Sequence, residues 1–238
     1  MKLGIMQPYF FPYLGYFELI RCTDRWIVFD TVQYIRHGWI NRNRILHPAQ
    51  GWQYVIAPVR KHALQTPIRD IRTNDDMPWR QRVLGQLAHY RKRAPHFQAV
   101  TRLVEEGLAD PEDRLSRLNT RLLERVCAYL GIPFRYAYFS DADYALPPVH
   151  APGEWALHIA RQLGATEYVN PPGGEGLFDA QAFARAGVRL TISRLPAMSY
   201  GCRGLEFQPD LSIIDVLMWN APEEVLAYLR RASADPAA

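Results

Sequence analysis

Two rhythms of apolar and polar positions run along this chain. Apolar runs of five to eight residues, KLGIM (2–6), RWIVFD (25–30), WQYVIAPV (52–59), PFRYAYFS (133–140), TEYVN (166–170) and VRLTISR (188–194), have the length of buried strands. Elsewhere apolar positions recur at threes and fours. That spacing predicts helices over LGYFELIRC, EWALHIARQLG, LFDAQAFARAG, LSIIDVLMWN and PEEVLAYLRRA. From Asp76 to about Gly131 the second rhythm stands alone. There Leu115, Leu118, Leu122, Val126 and Leu130 share one face, with Asp110 as expected N-cap, Pro111 at the first helical position and Gly131 as C-cap.

Strands alternating with helices predict an α/β fold, a mostly parallel sheet flanked by helices in the Rossmann-like manner. Residues 76–131 read as a helical insertion or cap within a single domain. Residues 31–51, TVQYIRHGWINRNRILHPAQG, follow neither rhythm and read as a functional loop with a short strand or hairpin inside it. The Ala-rich last six residues, 233–238, read as a frayed tail.

Composition narrows this picture only slightly. With 48% apolar and 22% charged residues among 238, the chain can bury an ordinary core. A net charge of +4 suits an anionic substrate, yet no basic stripe has the period of a recognition helix, so DNA is not an expected partner. Cys22, Cys127 and Cys202 lie far apart and show neither disulfide-frame nor metal-ligand spacing, which points to a reducing compartment. No apolar run approaches the ~20 residues that span a bilayer, and Gln7-Pro8 interrupts any leader-like segment. The expected location is the cytoplasm, with no membrane and no metal.

Candidate chemistry collects where an open α/β sheet binds its ligands, beyond the carboxyl ends of the strands. Three loops should lie there: 7–16, 30–44 and 170–176. The first crowds Tyr9, Phe10, Phe11, Tyr13, Tyr16 and Phe17 around Pro8 and Pro12, where turns usually carry small polar residues. Phe10, Phe11 and Phe17 read as local core, and Gln7, Tyr9 and Tyr16 as the wall of a pocket. The second holds Asp30, Gln33, His37, Asn41, Arg42, Asn43 and Arg44. If extended, it puts Asn41 and Asn43 on one face and Arg42 and Arg44 on the other. Asp30 is a ligand-reading group, a general base or an N-cap, and His37 is the loop's one group suited to proton transfer near neutral pH. The third, YVNPPGGEGLFD, sets Asn170, Gly173 and Gly174 before a helix. Its glycines permit positive φ and a close approach of backbone N–H groups to an anion.

MQPYFFPYLGYFELI, DTVQY with WINRNRI, YVNPPGGEGLFD and FQPDLSIIDVLMWN occur in that order from residue 3 to about residue 220, and together they resemble the WbqC-like family. Asp30, Gln33, Arg42, Asn43, Asn170, Gly173, Gly174 and Asp215 match its pattern, whereas His37, Tyr200-Gly201-Cys202 and Leu177-Phe178 depart from it. The family is met in bacterial O-antigen and other surface-polysaccharide gene clusters. The resemblance implies a transferase that joins an acyl or aminoacyl group, such as glycyl, to an amine of a sugar or similar small acceptor. It would need no cofactor beyond an activated co-substrate carried by pantetheine, a nucleotide or transfer RNA, so a carrier protein or transfer RNA is the expected donor partner. In that reading Asp30 or His37 takes the amine proton, while Gln7, Tyr9, Tyr16, Gln33 and Asn41 line the site. Arg42 and Asn43 hold the anionic donor, and Asn170 with the Gly173-Gly174 loop binds phosphate or oxyanion. The rivals are a nucleotidyltransferase, with Tyr16 where such enzymes carry a histidine, and a ligand-binding protein without turnover.

Overall fold

In the computed structural model, which describes residues 1–234, strands and helices alternate along most of the chain. They run β1 (Lys2–Met6), α1 (Leu14–Arg21), β2 (Arg25–Val28), β3 (Arg42–Leu46), β4 (Trp52–Ile56), α2 (Trp79–Gln86), α3 (Phe97–Leu108), α4 (Leu115–Leu130), β5 (Tyr136–Tyr138), α5 (Glu154–Gln162), β6 (Glu167–Asn170), α6 (Ala180–Arg185), β7 (Arg189–Ile192), α7 (Ile213–Trp219) and α8 (Pro222–Ala234). Of the tail expected over 233–238, the backbone of 233 and 234 belongs to α8, and 235–238 lie outside the described residues.

The central sheet is parallel throughout, in the order β5-β2-β1-β6-β7. Its strands alternate between two apolar layers, as pleating requires. Leu3, Ile5 and Ile27 face α5 and α6, while Trp26 and Val28 face the layer built from α1, α4 and α7. Gly4 is needed in β1 because a Cβ there would stand 2.5 Å from the Trp26 ring, which crosses it to meet Tyr16 at 5.2 Å. Segment 76–131 runs between β4 and β5 as α2, α3 and α4, and its Trp79, Val83, Val104 and Leu118 belong to the same core as Trp26.

Two expectations are corrected. The strand read at 52–59 ends at Ile56 and pairs antiparallel with β3, outside the parallel sheet. Five residues separate these strands, enough for a hairpin but far too few for a parallel crossover. The expected cap at Asp110 fails because α4 starts at Leu115, and the Asp110 carboxylate instead accepts from Glu112 N at 3.0 Å in a local turn. Gly131 does end α4, at φ 68°.

The chain lays β1, β2 and β5 on one side, then returns to lay β6 and β7 on the other. The order therefore reverses between β1 and β6, and the loops leaving their carboxyl ends separate there into a crevice.

Candidate functional site

The aromatic turn after β1 is bonded from within the protein, which explains why it needs no small polar residues. Asn43 Nδ2 donates to the carbonyls of Phe10 and Phe11 at 3.2 and 2.9 Å, and Asn119 Nδ2 to that of Pro8 at 2.8 Å. Ser212 Oγ donates to Phe11 O at 2.7 Å, and Ile213 N to Pro12 O at 2.8 Å. Side chains and backbone from β3, α4 and α7 thus stand in for water, so the turn can be apolar. Phe11 is held at φ 41°, a conformation that side-chain-bearing residues adopt only where neighbours fix them.

Beyond this turn the crevice holds a cavity of about 430 Å³, within the usual range for a small-molecule site. Gln7, Tyr9 and Tyr13 line it from β1's side, and Asn170, Gly173 and Gly174 from β6's, over a floor that includes Phe29, Trp155 and Tyr168. A second space of about 360 Å³ shares the walls Tyr9, Tyr13, Trp39 and Pro171 and adds Asn43, Arg44, Ser193 and Asp210. Burial raises the pKa of the Tyr9 phenol. It does the same for Tyr13, where the charges of Tyr9 and Asp210 add to the effect. Both phenols therefore remain protonated donors near neutral pH. Among the described residues lining the two spaces, Asp210 is the sole carboxylate.

The first loop thus reaches the cleft through Gln7 and Tyr9, and the third through Asn170, Gly173 and Gly174. Tyr16 does not: it has no exposed surface, and its hydroxyl donates to Gln7 O at 2.7 Å, buttressing the turn from the core. Asn170 is spent on its own loop, with Oδ1 accepting from Tyr168 at 2.7 Å and Nδ2 donating to Pro171 O at 2.7 Å. Neither Gly173 nor Gly174 takes a positive φ. Gly174 is required because a Cβ would stand 2.5 Å from Asn170 Nδ2, and its N–H donates to Pro171 O rather than toward the cleft. Asp179 already caps α6, so the expected anion site at that helix terminus is filled by a carboxylate of the chain itself.

The second loop divides. The alternation in β3 is as expected, with Asn43 and Ile45 buried and Arg42 and Arg44 outward. Asn43, Arg44 and Trp39 line the cleft. Asp30 does not, having been drawn 1% exposed into a tie between β2, α4 and β5. It accepts from Ser116 Oγ at 3.1 Å, Ser140 Oγ at 2.8 Å and Ser140 N at 3.2 Å. Its hollow is lined by Arg69, Arg72, Arg114 and Arg117 and shares no lining residue with the cleft. His37 is exposed at φ 63° and accepts through its carbonyl from the Arg42 guanidinium. Gln33 donates to Leu64 O at 2.8 Å and Asn41 to Ala57 O at 3.0 Å, both shaping loop backbone. Arg42 lies 4.2 Å over the Tyr54 ring, outside the cleft lining. Thus neither expected base enters the cleft, because Asp30 is consumed by packing and His37 lies on a turn.

Sequence reasoning missed Trp39, Trp155, Ser193 and Asp210 and left Arg44 without a role. The signal for Arg44 was present, since it is the outward neighbour of Asn43 in an alternating strand. Asp210 carried no such signal: its φ of 53° and its place beside Tyr13 come from the chain's path into α7. Cys202 is buried, and burial with the Asp215 charge pushes its thiol up to about 12, so it is no nucleophile at neutral pH.

The fold and site define a mixed α/β protein, a parallel five-strand sheet flanked by helices with an aromatic cleft at its strand-order reversal. The chain belongs to the WbqC-like protein family, whose profile matches residues 7–227. It is similar to the uncharacterized protein Rv1507c of Mycobacterium tuberculosis, 33% identical over 232 residues, which cover 96% of this chain and 97% of that one. No solved structure matches. Among the described residues no helix is long and apolar enough to cross a membrane.

Proposed function

We propose that the cleft between β1 and β6 binds a small ring-bearing acceptor, and that the protein transfers an acyl or aminoacyl group to an amine on it from an activated ester or thioester. The observation that carries this reading is the make-up of the walls. Two protonated phenols, the Arg44 guanidinium and the Asp210 carboxylate border two adjoining spaces over an aromatic floor. Flat rings give a sugar rigid contact area, and the phenols can donate to its hydroxyls. The amine's lone pair attacks the activated carbonyl carbon and the C–N bond forms. The C–S or C–O bond to the carrier breaks, and the carrier leaves with that electron pair. The amine proton passes to the Asp210 carboxylate and on to the departing group or solvent. Holding amine and carbonyl together supplies much of the rate, so no covalent enzyme intermediate is needed.

The test is incubation of the purified protein with amino-sugar nucleotides and activated acyl donors, reading mass gain on the acceptor. Asp210→Asn should then lower turnover by roughly 10²-fold, the ordinary worth of a base, while Asp30→Asn stays within about tenfold. Full activity in Asp210→Asn removes that residue from the role. A ligand-binding protein without turnover is the second reading, favoured by the exclusion of both Asp30 and His37 from the cleft. It predicts bound acceptor and no mass gain with any donor. The nucleotidyltransferase reading loses support, because Tyr16 is enclosed in the core.

A further inference from the structure

The β3–β4 hairpin turns one face outward, and that face is built from guanidinium groups laid on rings. Register pairs Arg42 with Ile56 and Arg44 with Tyr54, so these side chains share a face. The Arg42 guanidinium sits 4.2 Å from the Tyr54 ring centre, and that of Arg44 sits 5.3 Å from Trp39 and 5.1 Å from Trp52. Trp52 meets Tyr54 edge-on at 4.9 Å. Trp39 and Trp52 remain 38% and 40% exposed, large for residues of their kind.

Among the described residues neither Arg42 nor Arg44 forms an ion pair. By contrast, Arg72, Arg80, Arg114, Arg117 and Arg121 each meet a carboxylate within 3.0 Å. Each hairpin arginine has one carbonyl partner, His37 O for Arg42 and Asp210 O for Arg44. Among the described residues the Nε of each is buried without a partner. Stacking fixes the plane of a guanidinium and leaves its remaining N–H edge free to grip a phosphate. The exposed rings beside it are platforms on which a nucleobase stacks.

We propose that this face is a nucleoside-diphosphate site. It holds the phosphates on Arg44 and Arg42 and the base on the exposed Trp52 ring, while the rest of the substrate lies in the cleft. The proposal rests on the cleft being a substrate site. The two are joined through Arg44 and Trp39, which belong both to the stacked face and to the cleft wall. Two ring-stacked cations suit a compact diphosphate better than a polynucleotide, which is tracked by a longer basic groove with successive aromatic platforms. The chain's net charge of +4 offers little to a polyanion.

Calorimetric titration of the full chain at low salt tests this with uridine 5′-diphosphate, adenosine 5′-diphosphate, uridine, inorganic diphosphate and a single-stranded oligouridine. The nucleoside diphosphates should bind at least about tenfold more tightly than uridine or inorganic diphosphate alone, since each of those lacks one of the two contacts. Arg44→Ala and Arg44→Lys should each weaken uridine 5′-diphosphate by about tenfold or more, because lysine restores charge without the stacked fork. Trp52→Ala should weaken it by a similar factor. Trp52→Phe should retain most of the affinity, so a folded variant remains if the alanine change disrupts the hairpin. Arg102→Ala on α3 should match the wild type.

Four results overturn the proposal: no binding of either nucleoside diphosphate, unchanged affinity in Arg44→Ala, full affinity in Arg44→Lys, or tighter binding of the oligouridine. The readout is binding alone. Its failure therefore leaves mass gain on an acceptor possible, and failure of transfer leaves this site intact.

Discussion

Asp215 has no exposed surface, yet its carboxylate accepts from Tyr200 Oη at 2.8 Å, from Leu46 N at 3.3 Å and from Tyr90 Oη. Burial raises its pKa above the ordinary carboxylate range, and these hydrogen bonds pull it back only in part. The folded state therefore binds the proton more tightly than the unfolded chain does. Asp215's contribution to stability is fully present below the unfolded pKa and is lost as pH rises through the folded one. Asp215→Asn carries no charge and escapes that loss. Its stability relative to the wild type, measured by urea unfolding at pH 4 and pH 7, should be higher at pH 7 than at pH 4. A constant difference would mean that the phenols fully offset the buried charge. Asp215→Ala, by contrast, takes the acceptor from the Tyr90 and Tyr200 hydroxyls, while Leu46 N keeps Tyr90 Oη at 3.1 Å, and should cost about 2–4 kcal/mol at either pH.

At the scale of elements, the cleft depends on the join between the hairpin and the aromatic turn. Asn43 makes that join: it donates to the Phe10 and Phe11 carbonyls, and its Oδ1 accepts from Arg44 N at 2.8 Å. Asn43→Ala leaves buried carbonyls with fewer partners and frees a turn held at positive φ, a loss of about 2–4 kcal/mol in chemical denaturation. It should also weaken any ligand of the cleft, since Tyr9 and Tyr13 hang from that turn. A loss under about 0.5 kcal/mol, typical of surface changes, would show that the turn holds its shape without this residue. The sequence revealed the strands and the alternation of Asn43 with Arg44, because period-two patterning is local. It did not reveal which strand β4 pairs with, because that depends on connection length and on the turn at Gly51, held at φ 68°. Nor did it reveal the burial of Asp30, whose partners Ser116 and Ser140 lie 86 and 110 residues away. Polar residues in loops at strand ends look alike in sequence whether they face a ligand or tie two elements together.

At the scale of the whole molecule, two polar hollows open beyond the ends of the sheet strands, and the structure favours one of them. The hollow over Asp30 carries four arginines, but Arg72, Arg114 and Arg117 are held at 3.0 Å or less by Asp113, Glu112 and Asp141, and Asp30 itself is saturated with donors. An anion entering there must displace pairs already made, which returns little net energy. Among the described residues, the cleft at the β1–β6 reversal offers the Tyr9 and Tyr13 phenols, open aromatic surface and the Arg44 guanidinium without a carboxylate partner. Amide hydrogen exchange with and without a uridine-diphosphate amino sugar separates the two hollows across the entire chain in one measurement. Protection should rise over 7–13, 39–44 and 170–178, the segments that supply most of the cleft walls, with the hairpin strand 52–56 following. Residues 30–37 and 110–117 should exchange as before, because their loop contacts are complete without a ligand. Protection centred on Asp30, Ser116 and Ser140 would move the site to the arginine-lined hollow and return Asp30 to consideration as the base. Ligand that binds N and not U also raises the unfolding midpoint in proportion to the logarithm of its concentration. A midpoint that climbs while the segments of neither hollow gain local protection would place binding outside both hollows.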